Sequence, residues 1–407
     1  MPTRPIATSI VKRLVDAGYT TYFAGGWVRD FLLQKPSDDI DIATNAPVEI
    51  VQSLFPKTVP VGVAFGIIIV IEDHHPFEVA TFRKDRGYVD GRRPTGIDPA
   101  TPEEDAQRRD FTINGLFYDP LQDQLHDFVD GQKDLKKGII RAIGDPHARF
   151  LEDRLRMMRA VRYSTRFNFP IESETLQAIL AHAPTLLPSV AMERVWQEFK
   201  KMSRFSHFDT GLITLHHLNL LPTIFPALRG IPLQEIQERC KVIEHFPKNT
   251  PTIVELLELF PHFSLEELLD LCAYLKLSKQ ERLFVTFYAH AKNLLTIPQS
   301  WKPEPVEWAH FYADPHADIC LEIVAAHLEN RETFLHEHHK RRQLLEQAIL
   351  RIRSQSPLVC AEHLIKEGIV PGKKMGVLLK EAERISVNKN LEDREQVLLL
   401  LKKSPLW

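Results

Sequence analysis

The chain has 407 residues, 44% hydrophobic and 26% charged, which suits a globular protein with more than one core. Its formal net charge of −3 excludes a uniformly polybasic nucleic-acid binder. The charge is uneven, however: residues 151–205 hold 9 Lys and Arg against 6 Asp and Glu, and residues 331–407 hold 15 against 10, so two basic stretches remain able to track a polyanion.

In chain order, Ile6 to Ala17 predicts a short amphipathic helix. TTYFAGG reads as a strand entering a double glycine, and WVRDFLL then starts a helix. DDIDIAT, FGIIIVIE and HPFEVATFR are short β-branched runs of strand type. The polar stretch between Arg83 and Arg108, rich in Gly, Pro and charge, predicts a mobile loop. From about Ala148 the strand signals fade. RFLEDRLRMMRAVRYSTRF predicts one strong helix with Leu151, Leu155, Met158 and Val161 on its apolar face, and the remainder reads as helical bundles punctuated by prolines. Cys240, Cys272, Cys320 and Cys360 form no CxxC pair and predict reduced, mostly buried thiols. With no apolar leader at the start and no run long enough to span a bilayer, the expected location is cytoplasmic, away from membranes.

Three constellations carry chemistry. The first joins Gly25, Gly26 and Arg29 with Asp39 and Asp41. Two glycines at a strand-to-helix turn let backbone N–H groups approach phosphate oxygens, and Arg29 supplies a charged fork; an ordinary tight turn is the plain alternative. Asp39 and Asp41, alternate residues of a strand, point to one face. Like charges held together repel, and a hard divalent cation such as Mg²⁺ removes the repulsion while taking up substrate phosphates. Glu78, in FEVATFR, is a candidate third carboxylate or a structural residue. The second constellation is RRDFTIN, where Arg108 and Arg109 suit a phosphate tail and Asp110 and Asn114 suit a bracing role. The third is Asp153, Arg156, Arg159 and Arg162, which step by three along the predicted helix as either a solvated stripe or a base-reading edge. Cytosine and adenine both present an exocyclic amine beside a ring-nitrogen acceptor. A carboxylate accepts from the amine and a guanidinium donates to the ring nitrogen, whereas uracil and guanine reverse the pattern. Asp153 with Arg156 is thus a protein template for C and A. FLHEHHKRR, with His336, His338 and His339, reads as a solvated helix face ahead of a metal site.

AGGWVRD, DDIDIAT, EVATFR, RRDFTING, RFLEDRLRMMRAVRYSTRF and MERVWQEFKK occur in that order over roughly 180 residues. Together they resemble the class II tRNA nucleotidyltransferases, the CCA-adding enzymes, and the related bacterial poly(A) polymerases. The resemblance implies an α+β, polymerase-β-like nucleotidyltransferase head at 1–147, then an all-α neck (148–205), body (206–330) and tail (331–407). It implies Mg²⁺ held by Asp39 and Asp41, and nucleotide binding by Gly26, Arg29, Arg109, Asp153, Arg156, Arg159 and Arg162. It also implies ATP, CTP and the 3′ end of a tRNA or other RNA as partners. The stretch Tyr88 to Pro94 resembles the flexible loop that family members use to switch from C to A. Val61 to Gly66 lacks the paired basic residues that the poly(A) polymerases tend to carry there, although Gly66-Ile67 departs from the usual Gly-Thr. The tail LIKEGIVPGKKMGVLLKEAE is similar to that of many bacterial CCA-adding enzymes.

Overall fold

A computed structural model describes residues 3–88, 94–296 and 302–407. The expected switching loop therefore falls mostly outside the described residues. The chain packs as two compact units, Met1–Lys241 and Val242–Trp407.

The first unit begins with α1 (Thr3–Asp16), whose Ala7, Ile10, Val11 and Leu14 are buried at helical spacing. There follow β1 (Thr21–Ala24), α2 (Gly26–Leu32), β2 (Asp41–Thr44), α3 (Val48–Leu54), β3 (Thr58–Gly62), β4 (Ile67–Glu72) and β5 (His75–Thr81). After a small hairpin come β8 (Leu116–Asp119) and β9 (Gln124–Asp127). The sheet order is β3-β4-β5-β2-β1-β8-β9; β2 and β5 are parallel and the other recorded pairs antiparallel. Phe23, Val28, Ile42, Val51, Phe55, Ile68, Phe77 and Val79 form one core between sheet and helices. This mixed sheet with helices, followed by helices alone, is the α+β head and all-α remainder expected from the sequence.

Two local expectations are corrected. The polar stretch after Arg83 is not a loop throughout. β6 (Arg83–Tyr88) and β7 (Pro94–Pro99) pair as an antiparallel hairpin, and α4 (Pro102–Gln107) follows. A capping box makes that helix: Thr101 accepts from the Glu104 backbone, Glu104 reaches back to Thr101, and Pro102 occupies the first turn.

Second, the long helix expected from Arg149 onward is broken. After α5 (Gly131–Lys137), α6 (Pro146–Glu152) ends at Asp153, which is extended at φ −144° and ψ 104°. α7 (Leu155–Phe167) then restarts, with the Asp153 carboxylate accepting the Leu155 N–H at 3.0 Å. A short acceptor side chain that satisfies a new helix's first donors competes with continuing the old one. Leu151, expected on the apolar face, is 48% exposed in consequence. The unit closes with α8 (Ser173–His182), α9 (Leu186–Ser189), α10 (Met192–Met202), α11 (Phe208–His217), α12 (Leu220–Ile224) and α13 (Leu233–Cys240).

The second unit is helical among its described residues, from Thr252–Leu257 to Arg394–Leu401. Its C-terminal portion has its own core around Leu364, Leu378, Ala382, Ile385, Val397 and Leu401. Cys240, Cys272 and Cys320 are buried, Cys360 is half-buried, and all four are free. His338 departs from the expected solvated face: it is buried against Trp308 and Phe334, 2.7 Å from the Tyr312 hydroxyl. Burial and Arg341 push its imidazole down to about 4. Among the described residues no helix is long and apolar enough to cross a membrane.

Candidate active site

The site starts from the register of three strands. Pairing of β1 with β2 sets Ala24 opposite Asp41, and pairing of β2 with β5 sets Ile42 opposite Val79. Asp41 therefore lies beside the Gly25–Gly26 turn on one side and one register step from Glu78 on the other. Asp39, expected on the same strand, instead precedes it. The β1 partner ends at Ala24 because Gly25 turns the chain at φ 67°, a left-handed conformation open to glycine. A Cβ on Gly25 would stand 2.9 Å from Arg109 Nη1 and 3.9 Å from Asp41 Oδ2. The glycine thus lets a carboxylate and a guanidinium approach one backbone turn.

Asp41 is held in an unfavourable field. Burial first, then the negative charges of Glu78 and Asp39, raise its carboxyl to about 7 against the opposing charge of Arg109. A cation would relieve this. Asp39 and Asp41 offer hard oxygen donors of the kind Mg²⁺ takes. Among the described residues no group of three or more His, Cys, Asp and Glu side chains is arranged to hold a metal. Two carboxylates completed by phosphate oxygens and water fit that donor set.

Above this floor lies a cleft of ≈ 400 Å³ lined by Gly25, Gly26, Asp41, Arg108, Arg109, Asp110, Asn114, Asp153, Leu155, Arg156, Arg159, Tyr163 and Arg194. Of the expected site residues, Gly26, Asp41, Arg109, Asp153, Arg156 and Arg159 thus share one wall or floor. The charges of the wall are paired. Arg159 donates from Nε at 2.8 Å to Asp110, which also accepts from Asn114 Nδ2 and the Phe111 N–H. Burial alone would raise the Asp110 carboxyl, yet Arg159 and Asn114 hold it well below the usual carboxylate range. Arg156 donates at 2.5 Å to Glu152 and also to the backbone carbonyls of Arg149 and Arg108. Asp153 accepts from Arg194 at 2.9 and 3.3 Å. With the Leu155 N–H, that fills three of about four acceptor positions of the carboxylate. Of the four residues expected along one helix, Arg156, Arg159 and Arg162 share α7, and Asp153 stands in the break just before it.

Asp39, Arg29 and Arg162 do not line the cleft, and Asp39 is exposed just ahead of β2. Arg29 is 2% exposed; its guanidinium donates to Asp30 Oδ1 at 2.9 and 3.0 Å and to Asn114 Oδ1. Asp30 in turn accepts from Arg166 at 2.8 Å. Arg162 donates to buried Glu198 at 2.6 Å and lies over Tyr163 at 4.4 Å. Both guanidinium groups are engaged by buried side chains. Arg194, Glu198, Tyr163 and Asp105 join the site without belonging to any of the three sequence constellations. MERVWQEF carries Arg194 and Glu198 four residues apart on α10, so the signal was a charged pair on one helix face whose partners lie some 40 residues earlier.

A buried acid with further carboxylates near it, beside a glycine turn and under an arginine-lined cleft on a short mixed sheet, defines a nucleotidyltransferase. The poly A polymerase head domain matches residues 21–141, and the "Probable RNA and SrmB- binding site of polymerase A" matches residues 168–231. A CCA-adding enzyme of Pediococcus pentosaceus is 33% identical over 401 residues, 97% of this chain and 96% of its own length. One from Streptococcus gordonii is 33% identical over 402 residues, again 97% and 96%. The chain belongs to the CCA-adding enzyme family. Among solved structures, the Bacillus stearothermophilus CCA-adding enzyme in complex with CTP superposes with a TM-score of 0.75 at 26% identity, covering 99% of this chain and 98% of that one. The Thermotoga maritima CCA-adding enzyme complexed with tRNA shares the fold at a TM-score of 0.67 and 21% identity, over 97% and 94%.

Proposed function

We propose that this chain adds C and A to the 3′ end of tRNA from CTP and ATP, without a nucleic-acid template and with release of pyrophosphate. The observation that carries the reading is the seating of Asp41 and Gly25 on one floor with Arg109, under the wall that holds Asp153 and Arg156. It is supported by the near full-length likeness to CCA-adding enzymes.

In this reading Asp39 and Asp41 hold Mg²⁺, with Glu78 beside them. When bound, the ion lowers the pKa of the attacking hydroxyl and neutralises charge on the phosphates. The remaining work belongs to the chain's own groups. The Gly26 turn and Arg109 take the triphosphate, and Arg159, fixed by Asp110, keeps a positive charge on the wall. Arg29 holds the turn in shape through Asp30 and Asn114, and Arg162 holds α7 through Glu198. Asp153 accepts from the exocyclic amine of C or A and Arg156 donates to the ring nitrogen; U and G present the reverse pattern and gain neither bond, a difference of about 1–3 kcal/mol per group. Positioning and charge neutralisation supply most of the rate in phosphoryl transfer.

The functional partition proposed is a head at 1–147, a neck at 148–205, and a body and tail, 206–330 and 331–407, that grip RNA through phosphates and shape. The excess of Lys and Arg in the neck and tail supports RNA contact there, while the body, with 9 Lys and Arg against 16 Asp and Glu, adds no such support. The deciding experiment incubates tRNA lacking its terminal nucleotides with CTP and ATP. Three added nucleotides and no more supports CCA addition. One A on a CC end means an A-adding enzyme, a long A ladder a poly(A) polymerase, and no incorporation a catalytically silent RNA binder.

A further inference from the structure

Asp105 stands in α4, a helix that its capping box and first-turn proline already stabilise. It is 1% exposed. Burying a carboxylate is costly unless it is paired, and here one carboxylate is paired several times over. Its Oδ1 accepts from Arg108 Nε at 2.9 Å and from the Arg83 backbone N–H at 3.2 Å. Its Oδ2 accepts from Arg109 Nε at 3.1 Å and Nη2 at 2.9 Å. Arg108 and Arg109 both line the cleft, and Arg83 is the first residue of the β6–β7 hairpin.

A guanidinium is planar, so two bonds to one carboxylate oxygen fix where its third nitrogen points. For Arg109 that nitrogen is Nη1, which is directed at the Gly25 turn, within 2.9 Å of where a Cβ would sit and 3.5 Å from the Asn114 carbonyl oxygen. We propose that Asp105 is a positioning residue for nucleotide addition: it aims Arg109 Nη1 at the triphosphate seat and anchors Arg108 and the root of the β6–β7 hairpin to the same point. The inference rests on the reading of Arg109 as a triphosphate contact. Asp105 touches no substrate itself; it removes the arginine's freedom to seek other anions before nucleotide arrives, so the ordering cost is met in folding.

The test measures KM and kcat for CTP and ATP on defined tRNA ends with the full-length protein, Asp105→Asn, Arg109→Ala and the double variant, together with melting temperatures. Asp105→Asn is expected to raise nucleotide KM roughly tenfold, the usual scale for losing a charged partner behind a ligand-binding group. In the Arg109→Ala background the same change is expected to add less than about twofold, because the group being aimed is already gone. An unchanged KM, an effect that multiplies in full with Arg109→Ala, or a fall in kcat and melting temperature with KM untouched would each overturn the proposal. If Arg109→Ala itself leaves nucleotide KM unaltered, the triphosphate reading of Arg109 fails, and the inference with it. Should Asp105→Asn melt below the assay temperature, Asp105→Glu carries the same cycle. It keeps the charge and shifts the carboxylate by one methylene, and it is expected to raise KM less than removal of the charge.

Discussion

The floor and the wall of the cleft solve opposite electrostatic problems. On the wall, carboxylates meet guanidinium groups: Asp110 meets Arg159, Asp153 meets Arg194, Glu152 meets Arg156 and Arg149, and Glu198 meets Arg162. On the floor, burial and the neighbouring carboxylates of Glu78 and Asp39 push the Asp41 carboxyl up to about 7, more than Arg109 beside it offsets. Self-compensated charge fixes geometry, so the wall suits recognition. Uncompensated charge waits for a ligand, so the floor suits a cation and its phosphates.

That contrast can be broken most severely at the floor. Asp41→Asn or Asp39→Asn is expected to lower kcat for nucleotide addition by roughly 10³-fold or more, because the cation's anchor is gone. Loss of fold is not expected. The folded-state carboxyl of Asp41 lies above its ordinary 3.8, so the protonated form is the one folding favours. Its stabilising contribution is full below that ordinary value and is lost as the pH rises through about 7. Asp41→Asn is therefore expected to melt at or above the parent's temperature at pH 8, measured by calorimetry. A lower melting temperature there would contradict the uncompensated floor.

On the wall the largest effect expected is on stability. Asp110→Ala leaves Arg159 without its partner and is expected to cost about 3 kcal/mol in denaturant unfolding. Arg156→Ala comes next: the preference for C and A over U and G in competition assays should fall roughly tenfold, with a smaller change in triphosphate binding. Unchanged base preference would remove Arg156 from the template. The gentlest prediction concerns pH. Protons and metal compete for Asp41, so the Mg²⁺ concentration needed for half-maximal activity should rise as pH falls below about 7. A flat Mg²⁺ requirement between pH 6 and 8 would separate the cation from this carboxylate.

Legibility in the sequence followed the range of each interaction. Short-range geometry read well: GG before an amphipathic run became a strand-to-helix turn, and the pattern of Ala7, Ile10, Val11 and Leu14 became a buried helix face. The motif RRDFTIN yielded its bracing pair, since Asp110 and Asn114 are four residues apart and bond directly. Pairings across tens of residues did not read. Nothing near Asp153 announces Arg194, and nothing near Arg29 announces that Asn114, 85 residues later, accepts from it. The break at Asp153 was hidden because apolar periodicity runs through it; a single side-chain acceptor for the Leu155 N–H outweighs the pattern. The β6–β7 hairpin was hidden for the opposite reason, because Gly, Pro and charge look like loop while strand pairing and the Arg86–Asp98 ion pair supply the order.

The central claim is that Asp39 and Asp41 form a cation seat that the wall does not compensate. Electron paramagnetic resonance of Mn²⁺, titrated into the protein with a non-hydrolysable CTP analogue, tests it directly. The account predicts tight Mn²⁺ binding to the parent and its loss in Asp39→Asn and Asp41→Asn, with the analogue still bound in an Mn²⁺-independent assay. Equal Mn²⁺ affinity in the parent and both variants would contradict it.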